Sequence, residues 1–230
     1  MVHKIEKKIV GQRVITPEDR EKEALEKEAV ELESMHEGIE RPDRLFGSTY
    51  KIKPGGYDHA LHITINDYKL NEGTDHEQLI PYEIFLNSKA MESFQWIVGL
   101  TRVISAVFRK GGDATFLIDE LGSVFDPKGG YWKKIKNKPS IYMPSVVADI
   151  GEVLKIHLIH IGLIKEEEMD DHQKAFLEAK KADIKAHDAD HDDDSDFPAH
   201  ATLCSKCNHK SVVIMDGCKT CLNCGQSHCG

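Results

Sequence analysis

Between residues 46 and 88 apolar and polar positions alternate. STYKIKP and HALHITIND carry an apolar residue at nearly every second position, the period of a strand with one buried face. PYEIFLNS reads as a further strand. The period then changes. Met91, Phe94, Ile97, Val98, Thr101, Ile104, Ala106 and Phe108 build a broad apolar face, which predicts a long helix capped by Ser88, running through Arg109 and stopped by Gly111-Gly112. Asp113 reads as the cap of a shorter helix, ATFLIDELGSVF, and Asp126-Pro127-Lys128-Gly129-Gly130 as a turn cluster. MPSVVADIGEVLKIHLIHIGLI predicts a third helix, apolar nearly all round and therefore buried. Strands followed by helices predict an α+β fold, a small antiparallel sheet with helices on one face, over residues 46–165.

The flanks lack this density of apolar residues. Residues 1–45 read as an arm: KKIVGQRVIT as a strand, then a charged helix opened by Thr16-Pro17-Glu18-Asp19. Leu25, Ala29, Leu32 and Met35 give that helix one narrow stripe. It reads as a solvated helix on its own domain, with partner docking as the sharper alternative. Residues 166–201 are charged and almost without aromatics, and read as an acidic flexible linker whose first half continues as helix. His187, Asp188, Asp190, His191 and Asp192 offer a loose cation site there, but a solvated tether accounts for them. Residues 202–230 form a separate cysteine-rich tail.

Composition narrows the function. The 230 residues carry a net charge of −9, which does not suit a nucleic-acid binder. No stretch reaches the roughly 18 apolar residues of a membrane span, and MVHKIEKKIV is too charged for a signal peptide. A cytoplasmic protein is expected, where clustered cysteines bind metal or do redox chemistry more often than they staple a fold. His157 and His160 sit three apart on the last core helix and read as satisfied histidines, since no acid or thiol partner is near in sequence. Arg102, Arg109 and Lys110, ahead of Gly111-Gly112-Asp113, read as a basic surface or partner contact rather than a phosphate loop. Trp96 and Trp132 read as core or interface residues.

All six cysteines fall in the tail: Cys204, Cys207, Cys218, Cys221, Cys224 and Cys229. Two CxxC pairs, Cys204/Cys207 and Cys218/Cys221, flank a short strand, SVVIM, and an Asp216-Gly217 turn. Such a hairpin brings four sulfurs together as tetrahedral zinc requires. These four are the preferred ligands, which leaves Cys224 and Cys229 over. The alternative pairs Cys221 with Cys224, ahead of a knuckle glycine, Gly225, and leaves Cys218 and Cys229 free. His209 and His228 are possible substitute ligands. A dithiol outside the metal site suits thiol–disulfide exchange, with Lys219 and His228 placed to favour a thiolate. Spare or reserve ligands are the plainer reading of the two extra sulfurs.

The stretch PYEIFLNSKAMESFQWIVGLTRVISAVFRKGGDATFLIDELGSVFDPKGGYW resembles the C-terminal region of vitamin B12-dependent (class II) ribonucleotide reductases, as does the ending TLCSKCNHKSVVIMDGCKTCLNCGQSHCG. The likeness covers roughly residues 46–165 and 202–230. Members of that family usually end CGYSKCG; Gln226 and His228 replace the tyrosine and the lysine. The resemblance implies that Cys224 and Cys229 are the redox shuttle pair and that Cys204, Cys207, Cys218 and Cys221 hold zinc. It also implies a thioredoxin or glutaredoxin-like reductant. The family's catalytic barrel, with its adenosylcobalamin site and radical cysteine, takes several hundred residues and is not in this sequence. The resemblance therefore implies the small subunit of a split reductase, inactive alone, with adenosylcobalamin bound only by a large catalytic partner chain. A non-catalytic zinc-ribbon adaptor or regulator is the competing expectation.

Overall fold

A computed structural model of the chain describes residues 32–89, 94–135, 138–166, 169–187, 197–215 and 217–229. The strand expected in KKIVGQRVIT and most of the helix expected after Thr16 lie outside these residues, as do Asp188, Asp190, His191 and Asp192. The described end of that helix, Leu32–Met35, is not helical.

The three expected strands form one antiparallel sheet in the order β1 (Phe46–Ile52), β2 (Leu61–Leu70), β3 (Gln78–Ser88). Ile52, Leu61, Ile63, Ile65, Ile84 and Leu86 share its inner face. On the outer face Thr49 and Thr64 join hydroxyls at 2.9 Å, and Phe85 is exposed. Helices α1 (Phe94–Lys110), α2 (Phe116–Gly122) and α3 (Val146–His160) cover the inner face with Ile104, Phe108, Leu121, Ile150, Leu154 and Leu158. The fold is α+β as the patterning predicts. Ser88 is the last residue of β3, and residues 90–93, between it and α1, lie outside the described residues, so its expected capping falls there.

Ser145 caps α3, its hydroxyl accepting from the Ala148 N–H at 3.0 Å. Gly151 lets α2 approach α3: a Cβ there would press on the Leu121 side chain at 2.9 Å and the Gly122 backbone nitrogen at 3.2 Å. The outer edge of β3 is covered by α1. The Ile84 N–H donates to Ser105 Oγ at 3.0 Å, and that hydroxyl donates to Thr101 O at 2.8 Å. The helix thus satisfies a buried sheet-edge amide.

One hairpin was not predicted. Strands β4 (Tyr131–Ile135) and β5 (Lys138–Met143) pair antiparallel. The buried Asp149 carboxylate of α3 pins them, accepting from Tyr131 Oη at 2.6 Å and from Lys133 Nζ. Burial, then that same carboxylate, pushes the Tyr131 phenol well above its ordinary value. His157 is fully buried and satisfied at both ring nitrogens. Its Nε2 hydrogen-bonds with Asp67 Oδ1 at 2.8 Å, and its Nδ1 with Tyr50 Oη at 3.0 Å. The histidine ties β1 and β2 to α3.

The acidic segment is not wholly a linker. Asp171–His187 form α4, and Leu177 is buried with Phe197, Ala201, Val213 and Leu222, against which Met169, Ile184 and Met215 pack. Leu177 and Ile184 are seven apart, two helical turns, and so share one face. The cysteine module also meets the core domain: Tyr142 N–H of β5 donates to Asn208 O at 2.8 Å beside an Ile141–His209 bridge. In its described part, residues 166–201 hold the tail down rather than leave it on a free tether.

Candidate metal centre and disulfide

The tail is a four-stranded antiparallel sheet in the order β6 (Thr202–Leu203), β7 (Lys210–Met215), β8 (Cys218–Cys221), β9 (Ser227–Cys229). Side chains along a strand alternate between faces, so residues three apart on β8 point to opposite sides. Cys218 and Cys221 therefore cannot serve one site. The structure divides the sulfurs accordingly. Cys204, Cys207, Cys221 and Cys224 bring their Sγ atoms within 4.8 Å of one another. Cys218 forms a disulfide with Cys229, its partner in register on β9. This corrects the preferred assignment: Cys224 takes the place of Cys218 in the cluster, and the pair left over is Cys218 with Cys229, not Cys224 with Cys229.

The two knuckles are built alike. Asn208 follows the first with φ 54° and Gly225 follows the second with φ 72°, both in the left-handed region that asparagine and glycine tolerate best. The Asn208 N–H donates to Cys204 O and the Gly225 N–H to Cys221 O, each at 3.0 Å. The Cys204 N–H donates to His209 O at 2.9 Å and the Cys221 N–H to Gln226 O at 2.8 Å. A sequence signal for this pairing existed. Under the preferred assignment Leu222, a poor left-handed residue, would have followed the second pair.

The donor set fits a tetrahedral dication. Four thiolates about 2.3 Å from one ion stand about 3.8 Å apart. Cys204 and Cys224 sulfurs are 3.7 Å apart, and those of Cys207 and Cys221 are 3.6 Å. Polar groups already face the sulfurs: Ser211 Oγ lies 3.1 Å from Cys221 Sγ, and the Cys224 N–H donates to it at 3.4 Å. The Cys207 thiol and these groups hold the Cys221 thiol down to about 4 against burial. The same hydrogen bond to Cys221, then burial, pushes Cys207 far up, and burial raises Cys224 to about 11. A bound dication favours the thiolate form of all four. The four cysteines, close together, can bind a metal ion such as zinc.

The disulfide lies apart from this site. Cys229 is exposed on the three-residue edge strand β9, and Cys218 is partly exposed on the neighbouring β8. Lys219 and His228 pair in register one position along, which points them to the face opposite the disulfide. They are not placed to lower a thiol there, contrary to expectation.

The fold and the site define an α+β domain carrying a four-thiol double-knuckle module. The chain belongs to the TSCPD domain family, whose model matches residues 29–158, more than half of the chain. That domain is found in vitamin B12-dependent ribonucleotide reductase-related proteins. The cysteine module lies beyond the matched residues. No curated protein and no solved structure matches the chain. Among the described residues no helix is long and apolar enough to cross a membrane.

Proposed function

We propose that the chain is an accessory subunit of a vitamin B12-dependent ribonucleotide reductase that passes electrons from a thioredoxin-type reductant to the active-site disulfide of a separate catalytic chain. The observation that carries this reading is the segregation of six sulfurs into a four-thiol cluster and one exposed disulfide on a sheet edge. Adenosylcobalamin belongs to the catalytic chain. Zinc in the four-thiol site, when bound, ties the two knuckles together and withholds their sulfurs from exchange.

The chemistry balances in two exchanges. A thiolate of the reduced dithiol protein attacks Cys229 Sγ, the more exposed sulfur, and releases Cys218 as a thiolate. The reductant's second thiol then attacks the mixed disulfide, leaving Cys218 and Cys229 reduced and the reductant oxidised. In the second exchange the Cys229 thiolate attacks the catalytic chain's disulfide, and Cys218 resolves the mixed disulfide. Two electrons and two protons pass on, and the Cys218–Cys229 bond re-forms.

The test is a thioredoxin-coupled assay of the two chains together. Cys218→Ser and Cys229→Ser are each expected to stop turnover after the first cycle, and a small dithiol reductant to restore it. Unchanged multiple turnover in both variants would defeat the shuttle and leave a metal-ribbon adaptor as the better reading.

A further inference from the structure

The disulfide and the four-thiol cluster share one loop. The Cys218–Cys229 bond joins residues 11 apart, and the ring it closes contains the whole second knuckle, Cys221 and Cys224. Cys204 and Cys207 of the first knuckle lie outside the ring. Among the described residues, little besides that bond holds the ring's closing strand. Ser227, His228 and Cys229 of β9 are all exposed. The strand joins the sheet through three register pairs and one hydroxyl contact, Thr220 Oγ1 to Ser227 Oγ at 3.0 Å. A short hairpin arm with no buried face is marginal in water. That strand leads straight back into the cluster. Gln226 directly precedes it and touches both knuckles. Its carbonyl accepts from the Cys221 N–H at 2.8 Å, and its Oε1 accepts from the Cys204 thiol at 3.5 Å. Its Nε2 also meets His228 Nε2 of β9 at 2.9 Å. The seating of β9 and the arrangement of the four sulfurs therefore depend on the same few residues, although the disulfide faces the other side of β8.

We infer that the disulfide and the four-thiol site are thermodynamically coupled: the closed ring holds the second knuckle ready for the ion, so reduction of Cys218–Cys229 loosens the ion, and the bound ion resists that reduction. The ring acts on the chain before the ion arrives. Among the described residues only five buried apolar side chains surround the module. Closing a loop of this size favours the folded knuckle by up to roughly a hundredfold. A coupling between a bound ion and the state of a bond is reciprocal. In the reducing step a dithiol gives two electrons and two protons, and its own sulfurs become a disulfide. Cys218 and Cys229 become two thiols, and the ion keeps its charge. The cluster's own four thiols remain after reduction, so the ion is held more weakly rather than lost. None of this calls on a catalytic partner chain, so it stands or falls on this chain alone.

The experiment measures the zinc affinity of the full oxidised chain, by competition with a colorimetric chelator, against that of Cys218→Ser/Cys229→Ser. The oxidised chain is expected to bind zinc at least tenfold more tightly. The unaltered chain reduced with a phosphine keeps the test valid if the double variant misfolds, and is expected to weaken by a similar factor. The reciprocal effect is read in a glutathione redox buffer, by alkylation and peptide mass spectrometry of Cys218 and Cys229. Cys204→Ser/Cys207→Ser breaks the metal site outside the ring. It is expected to reach half reduction at a ratio of squared thiol to disulfide at least tenfold lower than the zinc-loaded chain needs. Affinities equal within twofold in both comparisons, or a reduction midpoint unmoved by loss of the ion, would overturn the coupling. Tighter zinc binding after reduction would overturn it as well, in favour of Cys218 and Cys229 as reserve ligands.

Discussion

Cys224 and Cys218 separate the two roles of sulfur in this chain most sharply, because they are the two residues whose assignments exchange between sequence and structure. Cys224 lies 3.7 Å from Cys204 Sγ, and Cys218 lies on the other face of β8 in a disulfide. Cys224→Ser is therefore expected to lower bound zinc from one ion per chain to well under half, measured by atomic absorption after dialysis. Cys218→Ser is expected to keep the full ion. Equal metal loss in both would restore the first assignment. A second residue, Glu83, sets a pH dependence. Burial pushes its carboxyl up, but hydrogen bonds from Arg41 and Asn66 and the Arg41 charge outweigh burial and hold it below its ordinary value of 4.5. A folded-state value below the unfolded one gives stability that is fully present above pH 4.5 and is lost as pH falls through the lower value. In Glu83→Gln the stability lost between roughly pH 5 and pH 3 is expected to shrink, as followed by urea titration across that range. A slope identical to that of the unaltered chain would mean that the Arg41 bridge contributes nothing.

Helix α1 depends on one hydroxyl at its contact with the sheet. Ser105 Oγ is the acceptor for the Ile84 N–H at a sheet edge that no strand covers among the described residues. Ser105→Ala leaves that buried donor unpaired, at a cost of about 1–3 kcal/mol. A lower thermal midpoint and faster amide exchange at Ile84 are the expected readings, and Ser105→Thr is expected to recover part of the loss. Such a contact was not legible in the sequence, because serine within a helix reads as neutral and its partner lies 21 residues away in another element. The strands β1 to β3 were legible because Ile63 and Ile65 alternate with Thr64 and Asn66 on a sheet with one wet face. The β4–β5 hairpin was not recognised, although Tyr131, Lys133 and Ile135 also alternate, because its lysines mask a face that turns inward only through Asp149. The cysteine cluster was legible as a cluster and misread in detail. Spacing alone gives Cys218/Cys221 and Cys221/Cys224 the same CxxC form; strand alternation and the left-handed residue after each knuckle decide between them.

At the level of the whole chain, the core domain and the cysteine module draw on unequal resources. Among the described residues fifteen buried apolar side chains form the main core, against five around the module, so the first has far more burial to sustain a fold. An ion held by its four thiols would supply most of the module's folding free energy. Yet it is not independent of its surroundings, since α4 contributes Leu177 to its small core and Asn208 O accepts from Tyr142 of β5. Stripping the metal with a strong chelator is therefore expected to abolish amide protection across residues 202–229 and at Leu177 of α4, and to reach Tyr142 N–H through its lost acceptor. Protection in Leu61–Leu70 of β2 and Val146–His160 of α3 is expected to stay within about threefold, because their partners are all in the larger core. Hydrogen exchange with and without chelator, read residue by residue, measures this directly. If β2 and α3 opened together with the module, the ion would be holding the entire chain together. The exposed disulfide would then sit on a rigid body rather than on a unit that zinc alone sets in place.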